Sequence, residues 1–178
     1  MLTDPHDLVL RATQAKTEGR LTDARRDASE AAGRLREQPP GIELAKALRL
    51  LGEVERKLHQ DVAARTHYEE AVQLCWLYAD PLTLAHTVRH LGDLYHEAGQ
   101  PELAQPCYRQ ALNLYREQID TPPLDLANAI RSMAVLKSDT GEMEQAKVLW
   151  QEARDLYALV NVPEGVKESS RQLAQIAG

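Results

Sequence analysis

Four arginines recur along the chain at a nearly constant spacing, and their chemistry is the first candidate for function. They lie 40, 42 and 40 residues apart, at Arg49, Arg89, Arg131 and Arg171. Three of them follow another polar side chain by three residues, namely Lys46, His86 and Asn128. A guanidinium group presents a planar fork of N–H donors that matches a carboxylate or a phosphate. Arginines in register would therefore bind an acidic peptide or another anionic ligand.

The same arginines also have a structural interpretation. An acid stands four residues after each of the first two, at Glu53 and Asp93. Such a pair lies on one helix face and closes an ion pair worth about 0.2–0.5 kcal/mol. We expect this structural role for the first two arginines. Arg131 differs because Val135 occupies the position of the acid, and Arg131 is therefore the best single candidate for a ligand contact.

Two histidines, His86 and His90, are four residues apart and would share one face of a helix. Two imidazoles at that spacing can bind a divalent metal. The pattern contains no nearby carboxylate or third fixed ligand, so the prediction is no metal and no cofactor. We expect instead that both histidines hydrogen-bond a partner and that their charge changes near pH 6.

Several classes of function leave no trace in the sequence. There is no Ser/His/Asp order, no glycine-rich phosphate loop and no pair of acids at strand ends, so we expect no enzyme activity. The net charge of −6 is spread evenly, and no Lys/Arg run is interleaved with aromatics, which argues against nucleic acid as a partner. The longest early apolar run, Leu8–Leu10, predicts neither a signal peptide nor a membrane span. Cys75 and Cys107 are predicted to be buried, reduced thiols of a cytoplasmic protein.

The elements that position these side chains follow from an internal repeat with a period of 40–42 residues. One column of the repeat consists of Ala31, Ala71, Ala111 and Ala153. A second consists of Ala24, Ala64, Ala104 and Ala146. A third, made of residues that favour the left-handed end of a helix, is Gly19, His59, Gly99 and Gly141. Three columns at one period predict repeated pairs of helices, each pair joined at the third column.

Prolines divide the chain into units, because proline cannot continue a helix but can begin one. The breaks are at Pro39–Gly41, Asp80–Pro81, Thr121–Pro123 and Val162–Pro163. They predict four helix pairs, over residues 4–38, 41–79, 81–120 and 123–160, and a capping helix over 163–177, together forming one domain. Within a pair, small residues such as Gly52 and Ala64 would allow close approach, and a bulky one such as Tyr68 would fill the space beside them. Trp76, at the end of the second unit, is either buried filler between repeats or an exposed anchor, and we expect filler, because an exposed Trp would have apolar neighbours on the surface.

The repeated motif resembles the tetratricopeptide repeat. The residues that carry the resemblance are Leu91, Gly92, Tyr95, Ala104, Tyr108 and Ala111. The period exceeds the usual ~34 residues, which is similar to the long-helix variety in kinesin light chains and in bacterial regulator sensor domains. The resemblance implies an all-α, right-handed α-solenoid whose first helices line a concave groove. It places in that groove the residues Lys46, Arg49, His86, Arg89, His90, Asn128 and Arg131.

The resemblance also indicates a kind of function. Some family members hold the C-terminal carboxylates of chaperones with Lys and Asn side chains, but here Glu53, Asp93 and Val135 stand where Asn is needed, which argues against that subgroup. We expect a non-catalytic scaffold that binds a peptide or helix of a partner protein in the concave groove. Two alternatives stay open: a self-assembling homodimer, and a regulator domain that senses a small molecule or a metal. Neither nucleic acid nor a membrane is expected as a partner.

Overall fold

A computed structural model describes residues 4–39, 41–78 and 80–177, and within these ranges the chain forms nine helices and no strand. The helices are α1 Pro5–Thr17, α2 Leu21–Arg36, α3 Ile42–Lys57, α4 Asp61–Leu77, α5 Pro81–Glu97, α6 Pro101–Glu117, α7 Pro123–Asp139, α8 Met143–Leu159 and α9 Pro163–Ala177. Each predicted unit range contains two of them, and α9 lies in the range predicted for a capping helix. Pro40, in one predicted break, and Ala79, at the end of one predicted unit, lie outside the described residues.

The helices pack in two compact units, Met1–Leu94 and Tyr95–Gly178. In the first unit, α1 packs on α2, α2 on α3 and α3 on α4, and α1 also contacts α3. In the second unit, α6 packs on α7, α7 on α8 and α8 on α9. Consecutive helices joined by short connections therefore form antiparallel pairs in each unit. That all of them make up a single domain stays a prediction.

The predicted left-handed residues end the first helix of each pair. Gly19, Gly99 and Gly141 have φ values of 76°, 70° and 80°, and His59 has a φ of 56°. Glycine reaches this region without steric cost, and histidine is one of the residue types that tolerate it. Asn161 also has a φ of 56°, at the end of α8. Its position lies outside the repeated column, and we had not predicted it.

The small residues of the repeat lie where helices come closest. A Cβ atom added at Gly52 on α3 would lie 2.7 Å from Cε1 of Tyr68 on α4, so the ring takes the space that a side chain would need. Tyr68 and Trp150 are 0% exposed and Tyr108 is 1% exposed. The Tyr68 ring therefore fills the space that Gly52 leaves, and all three aromatic residues belong to the buried core.

Two expectations about single residues were wrong. Trp76 is 61% exposed, because it follows Cys75, the last buried residue of α4, and the next position along a helix points about 100° away. Cys107 is half-buried, while Cys75 is buried, and both are free thiols. Burial raises the pKa of each thiol to about 11.

None of the helices in the described ranges has the length and apolar character to cross a membrane.

Candidate functional site

Three of the predicted site residues of the first unit, Arg49, His86 and His90, meet around one carboxylate, that of Glu53. Helices α3 and α5 each carry polar residues at three- and four-residue steps, so each set occupies one face of its helix. The residues on α3 are Lys46, Arg49 and Glu53, and those on α5 are His86, Arg89, His90 and Asp93. In this way the repeat places two polar faces against each other.

Glu53 is surrounded by basic groups from three helices. Lys16 Nζ on α1 donates to Oε2 of Glu53, and Arg49 Nη1 donates to Oε1. His90 Nε2 lies 3.3 Å from Oε1, and His86 Nε2 lies 3.9 Å from it. Burial by itself raises the pKa of Glu53, but the neighbouring positive charges outweigh it, and the pKa lies well below its ordinary value. Glu53 is therefore a buried, ionised carboxylate that several basic side chains share.

Asp93 forms a second centre beside the first. It accepts hydrogen bonds from Arg89 Nη1 and pairs with His90 Nδ1, both at 3.2 Å, and Arg56 Nη1 lies 3.9 Å away. The expected ion pairs at four-residue spacing, to Glu53 and to Asp93, are thus both present. Burial, together with the charge of Arg89, lowers the pKa of His90 to about 4. Burial also lowers the pKa of His86, so the change of charge lies well below the pH of 6 that we had expected.

In the second unit, Asn128 and Arg131 have partners that the sequence did not reveal. Tyr157 donates its hydroxyl hydrogen to Oδ1 of Asn128 over 2.8 Å. Arg131 donates from Nε and Nη2 to the two carboxylate oxygens of Glu168 on α9, each over 2.6 Å. The Glu168 side chain is half-buried in this contact. The acid missing at the four-residue position is thus supplied by another helix.

A cavity of about 660 Å³ opens between α1 and α3 in the first unit. The lining residues that matter for ligand chemistry are Val9, Thr13, Lys16, Lys46, Arg49 and Leu50. Asp4 and Glu43 add two acids to the wall, and Glu43 forms a 2.9 Å ion pair with Lys46. The volume is in the range of ligand sites. Its mixture of cations and apolar side chains suits a segment that carries a carboxylate and an apolar side chain.

Lys16 is a residue of the candidate site that the sequence did not reveal. It lies forty residues before Arg56 and eighty before His96, so these three form a second basic column. Lys16 pairs with Glu53, and Arg56 approaches Asp93, in each case 37 residues further along the chain. The repeated basic position was therefore visible in the sequence. The acidic partner of each basic residue, however, lies on the first helix of the following helix pair.

Comparison with known proteins confirms the predicted resemblance. Residues 43–117 match the family model described as Tetratricopeptide repeat. This stretch covers α3 to α6, which hold the polar faces of α3 and α5. Within residues 43–117 the chain is thus similar to tetratricopeptide repeats, and the predicted all-α class of paired helices is confirmed. A comparison with curated proteins gives no match.

Solved structures of the same fold include three that cover almost all of this chain. BtubC (BKLC) from P. vanneervenii has a TM-score of 0.71 and 17% identity, covering 97% of this chain and 81% of its own. Aspartyl phosphate phosphatase F from Bacillus subtilis has a TM-score of 0.86 and 15% identity, and the match covers 98% of this chain and 46% of the phosphatase. A Rap protein complexed with Competence and Sporulation Factor has a TM-score of 0.83 and 17% identity, and the match covers 99% of this chain and 50% of the Rap protein. This chain thus spans about half the length of the last two proteins, and at these identities the similarity concerns the fold.

Proposed function

We propose that the chain is a non-catalytic protein-interaction scaffold that binds a peptide or helix of a partner protein in the cavity between α1 and α3. The observation that carries the proposal is the cavity itself, which combines three cations with apolar walls. One of the similar structures is a Rap protein in complex with a partner factor, and a peptide partner for this chain is consistent with that. The proposal includes no catalytic step.

The cations of the cavity are held in a way that leaves them available to a ligand. Lys46 is 41% exposed and pairs with Glu43, three residues earlier, which is 56% exposed. Exposed pairs of this kind are worth less than about 1 kcal/mol, so a ligand carboxylate can replace Glu43. Lys16 and Arg49 share the single carboxylate of Glu53, and one positive charge there is therefore left for an anionic group.

The test is a pull-down from native cell extract with three versions of the chain. Lys46→Glu reverses the charge of the most exposed cavity cation without touching Glu53. Arg65→Glu is the matched control, because Arg65 is 50% exposed and forms an i,i+4 pair with Glu69 on α4, away from the cavity. We expect a partner that is captured by the wild type and by Arg65→Glu but is lost with Lys46→Glu. Equal capture by all three would refute binding in this cavity.

A homodimer is the second candidate, and it is favoured by an exposed apolar segment at the end of α4. Trp76 is 61%, Leu77 71% and Tyr78 37% exposed. Adjacent large apolar side chains in contact with water are typical of an interface. Light scattering over a wide concentration range would detect a dimer, and its loss in a Trp76→Ser variant would assign the interface to this segment. A monomer at all concentrations would eliminate the candidate.

A further inference from the structure

Three side chains of the first unit meet with the spacing of a metal site. Oε1 of Glu53, and one ring nitrogen each of His86 and His90, all lie within 4.8 Å of one another. Nε2 of His90 is 3.3 Å and Nε2 of His86 is 3.9 Å from Oε1 of Glu53. Ligands about 2.1 Å from a tetrahedral metal are about 3.4 Å apart. The three atoms can therefore reach one ion with shifts of less than an ångström.

The sequence had suggested only two of these ligands. His86 and His90 are four residues apart on α5, whereas Glu53 lies on α3, more than thirty residues earlier. The third ligand that the sequence pattern lacked is thus supplied by the packing of α3 against α5. The ligands also come from two helices that are held in place by the buried residues around them, which favours a defined geometry.

The surroundings prepare the three groups as ligands. Asp93 Oδ2 lies 3.2 Å from Nδ1 of His90, and a carboxylate in that place fixes the proton on Nδ1 and directs Nε2 toward Glu53. Burial lowers the pKa of both histidines, and the pKa of Glu53 is also lowered, so that near neutral pH the imidazoles are neutral and the carboxylate is ionised. These are the protonation states that bind metals. The His86 side chain is 27% exposed and provides a route from solvent.

Two arginines compete with an ion for the same atoms. Arg49 donates to Oε1 of Glu53, and Nη2 of Arg89 lies 3.0 Å from Nε2 of His90. Each guanidinium has an alternative environment when an ion displaces it. Arg49 also borders the cavity, and Arg89 already donates to Asp93. Metal binding must therefore displace two hydrogen bonds, and the affinity is set by that competition.

A tyrosine whose ring stacks on His90 carries a buried hydroxyl without a hydrogen-bond partner among the described residues. The side chain of Tyr68 is 0% exposed, and its ring stacks on that of His90 with centroids 6.0 Å apart and planes 9° apart. Its hydroxyl oxygen has no hydrogen-bond partner among the residues that the structure describes. A buried polar atom without a partner costs about 1–3 kcal/mol. A water molecule, free or on a metal ion, would relieve this cost.

We propose that Glu53, His86 and His90 bind one divalent transition-metal ion of the Zn²⁺ type, with the fourth position open. A set of two imidazoles and one carboxylate suits Zn²⁺ and its neighbours Co²⁺, Ni²⁺ and Cu²⁺ better than Mg²⁺ or Ca²⁺, which prefer oxygen ligands. The proposal does not depend on peptide binding in the cavity.

The test is titration of the purified chain with Zn²⁺ by isothermal calorimetry, and with Co²⁺ by visible absorption. His86→Gln removes the most exposed ligand and is expected to weaken Zn²⁺ binding at least ~10-fold. His67→Gln is the matched control, since His67 pairs with buried Glu55 over 2.7 Å but belongs to no three-ligand cluster among the described residues. The control is expected to keep the wild-type affinity.

Arg49→Gln provides a second variant whose result cannot come from misfolding. Removal of the guanidinium that competes for Oε1 of Glu53 is expected to tighten Zn²⁺ binding severalfold, whereas a damaged fold could only weaken it. Stoichiometric binding that is lost in His86→Gln and tightened in Arg49→Gln would support the site. No saturable binding by the wild type, or equal affinities in the wild type and His86→Gln, would overturn it.

Discussion

Replacement of Gly52 by alanine is the sharpest test of the packing that brings α3 and α4 together. The added Cβ atom would lie 2.7 Å from Cε1, 2.9 Å from Cδ1 and 3.1 Å from Cζ of Tyr68. These distances are well below the 3.5–4.0 Å of an ordinary carbon–carbon contact. The Tyr68 ring is 0% exposed and stacks on His90, so it cannot move aside freely.

The expected magnitude follows from two opposing effects. Overpacking of a filled interior typically costs about 1–3 kcal/mol, whereas alanine in a helix is favoured over glycine by about 1 kcal/mol. Because the clash is with a rigid, enclosed ring, we expect the cost to dominate. The free energy of unfolding of Gly52→Ala should be lower by about 1–2 kcal/mol. In a chain of this size, that corresponds to a fall in Tm of roughly 3–6 °C.

Gly33→Ala is the matched control, because a Cβ atom at Gly33 on α2 meets no atom of the described residues within 4 Å. It should therefore show the helix-forming gain alone, a rise of about 0.5–1 kcal/mol. Urea denaturation of the wild type and both variants measures the two effects with opposite signs. If Gly52→Ala were as stabilising as Gly33→Ala, the close approach of α3 and α4 would be refuted.

A double-mutant cycle assigns the effect to the ring. In a Tyr68→Leu background the ring atoms next to Gly52 are gone, and Gly52→Ala should then be neutral or stabilising. The interaction energy between the two positions should be about 1–3 kcal/mol, as is usual for residues in direct contact. Additive effects would mean that the cost arises elsewhere.

Two further predictions concern ionisable groups. Lowering the pH from 8 to 5 should reduce the free energy of unfolding by about 2 kcal/mol through His90 alone. The pKa of His90 is about 4 in the folded chain and 6.5 in the unfolded chain. Between these two pH values mainly the unfolded chain takes up the proton, and this stabilises the unfolded state. Urea midpoints at both pH values measure this, and a His90→Gln variant with the wild-type pH dependence would contradict it. Glu168→Gln should cost about 0.5–1 kcal/mol, because it breaks a partly exposed, two-fold contact with Arg131. Hydrogen exchange of α9 should then be faster than in the control Glu164→Gln, and equal rates would show that the contact does not hold α9.

Local features of this protein were predictable from the sequence, since they depend on nearby residues. The left-handed ends at Gly19 and His59 require only that the residue tolerates a positive φ. The ion pair between Arg49 and Glu53 requires only a spacing of four on one helix. The repeat of alanines and prolines likewise identified the helix pairs, because each column marks the same position in every copy.

The candidate site was decided by tertiary structure. Which residues of α5 face Glu53 depends on the rotation and approach of two helices, and a period in the sequence does not specify either. The partner of Arg131 was missed because Glu168 comes from a different helix, α9. The exposure of Trp76 was predicted wrongly because one step along a helix separates a buried position from an exposed one. The sequence by itself thus determined the helices and their repeat, whereas packing between helices decided which charges meet.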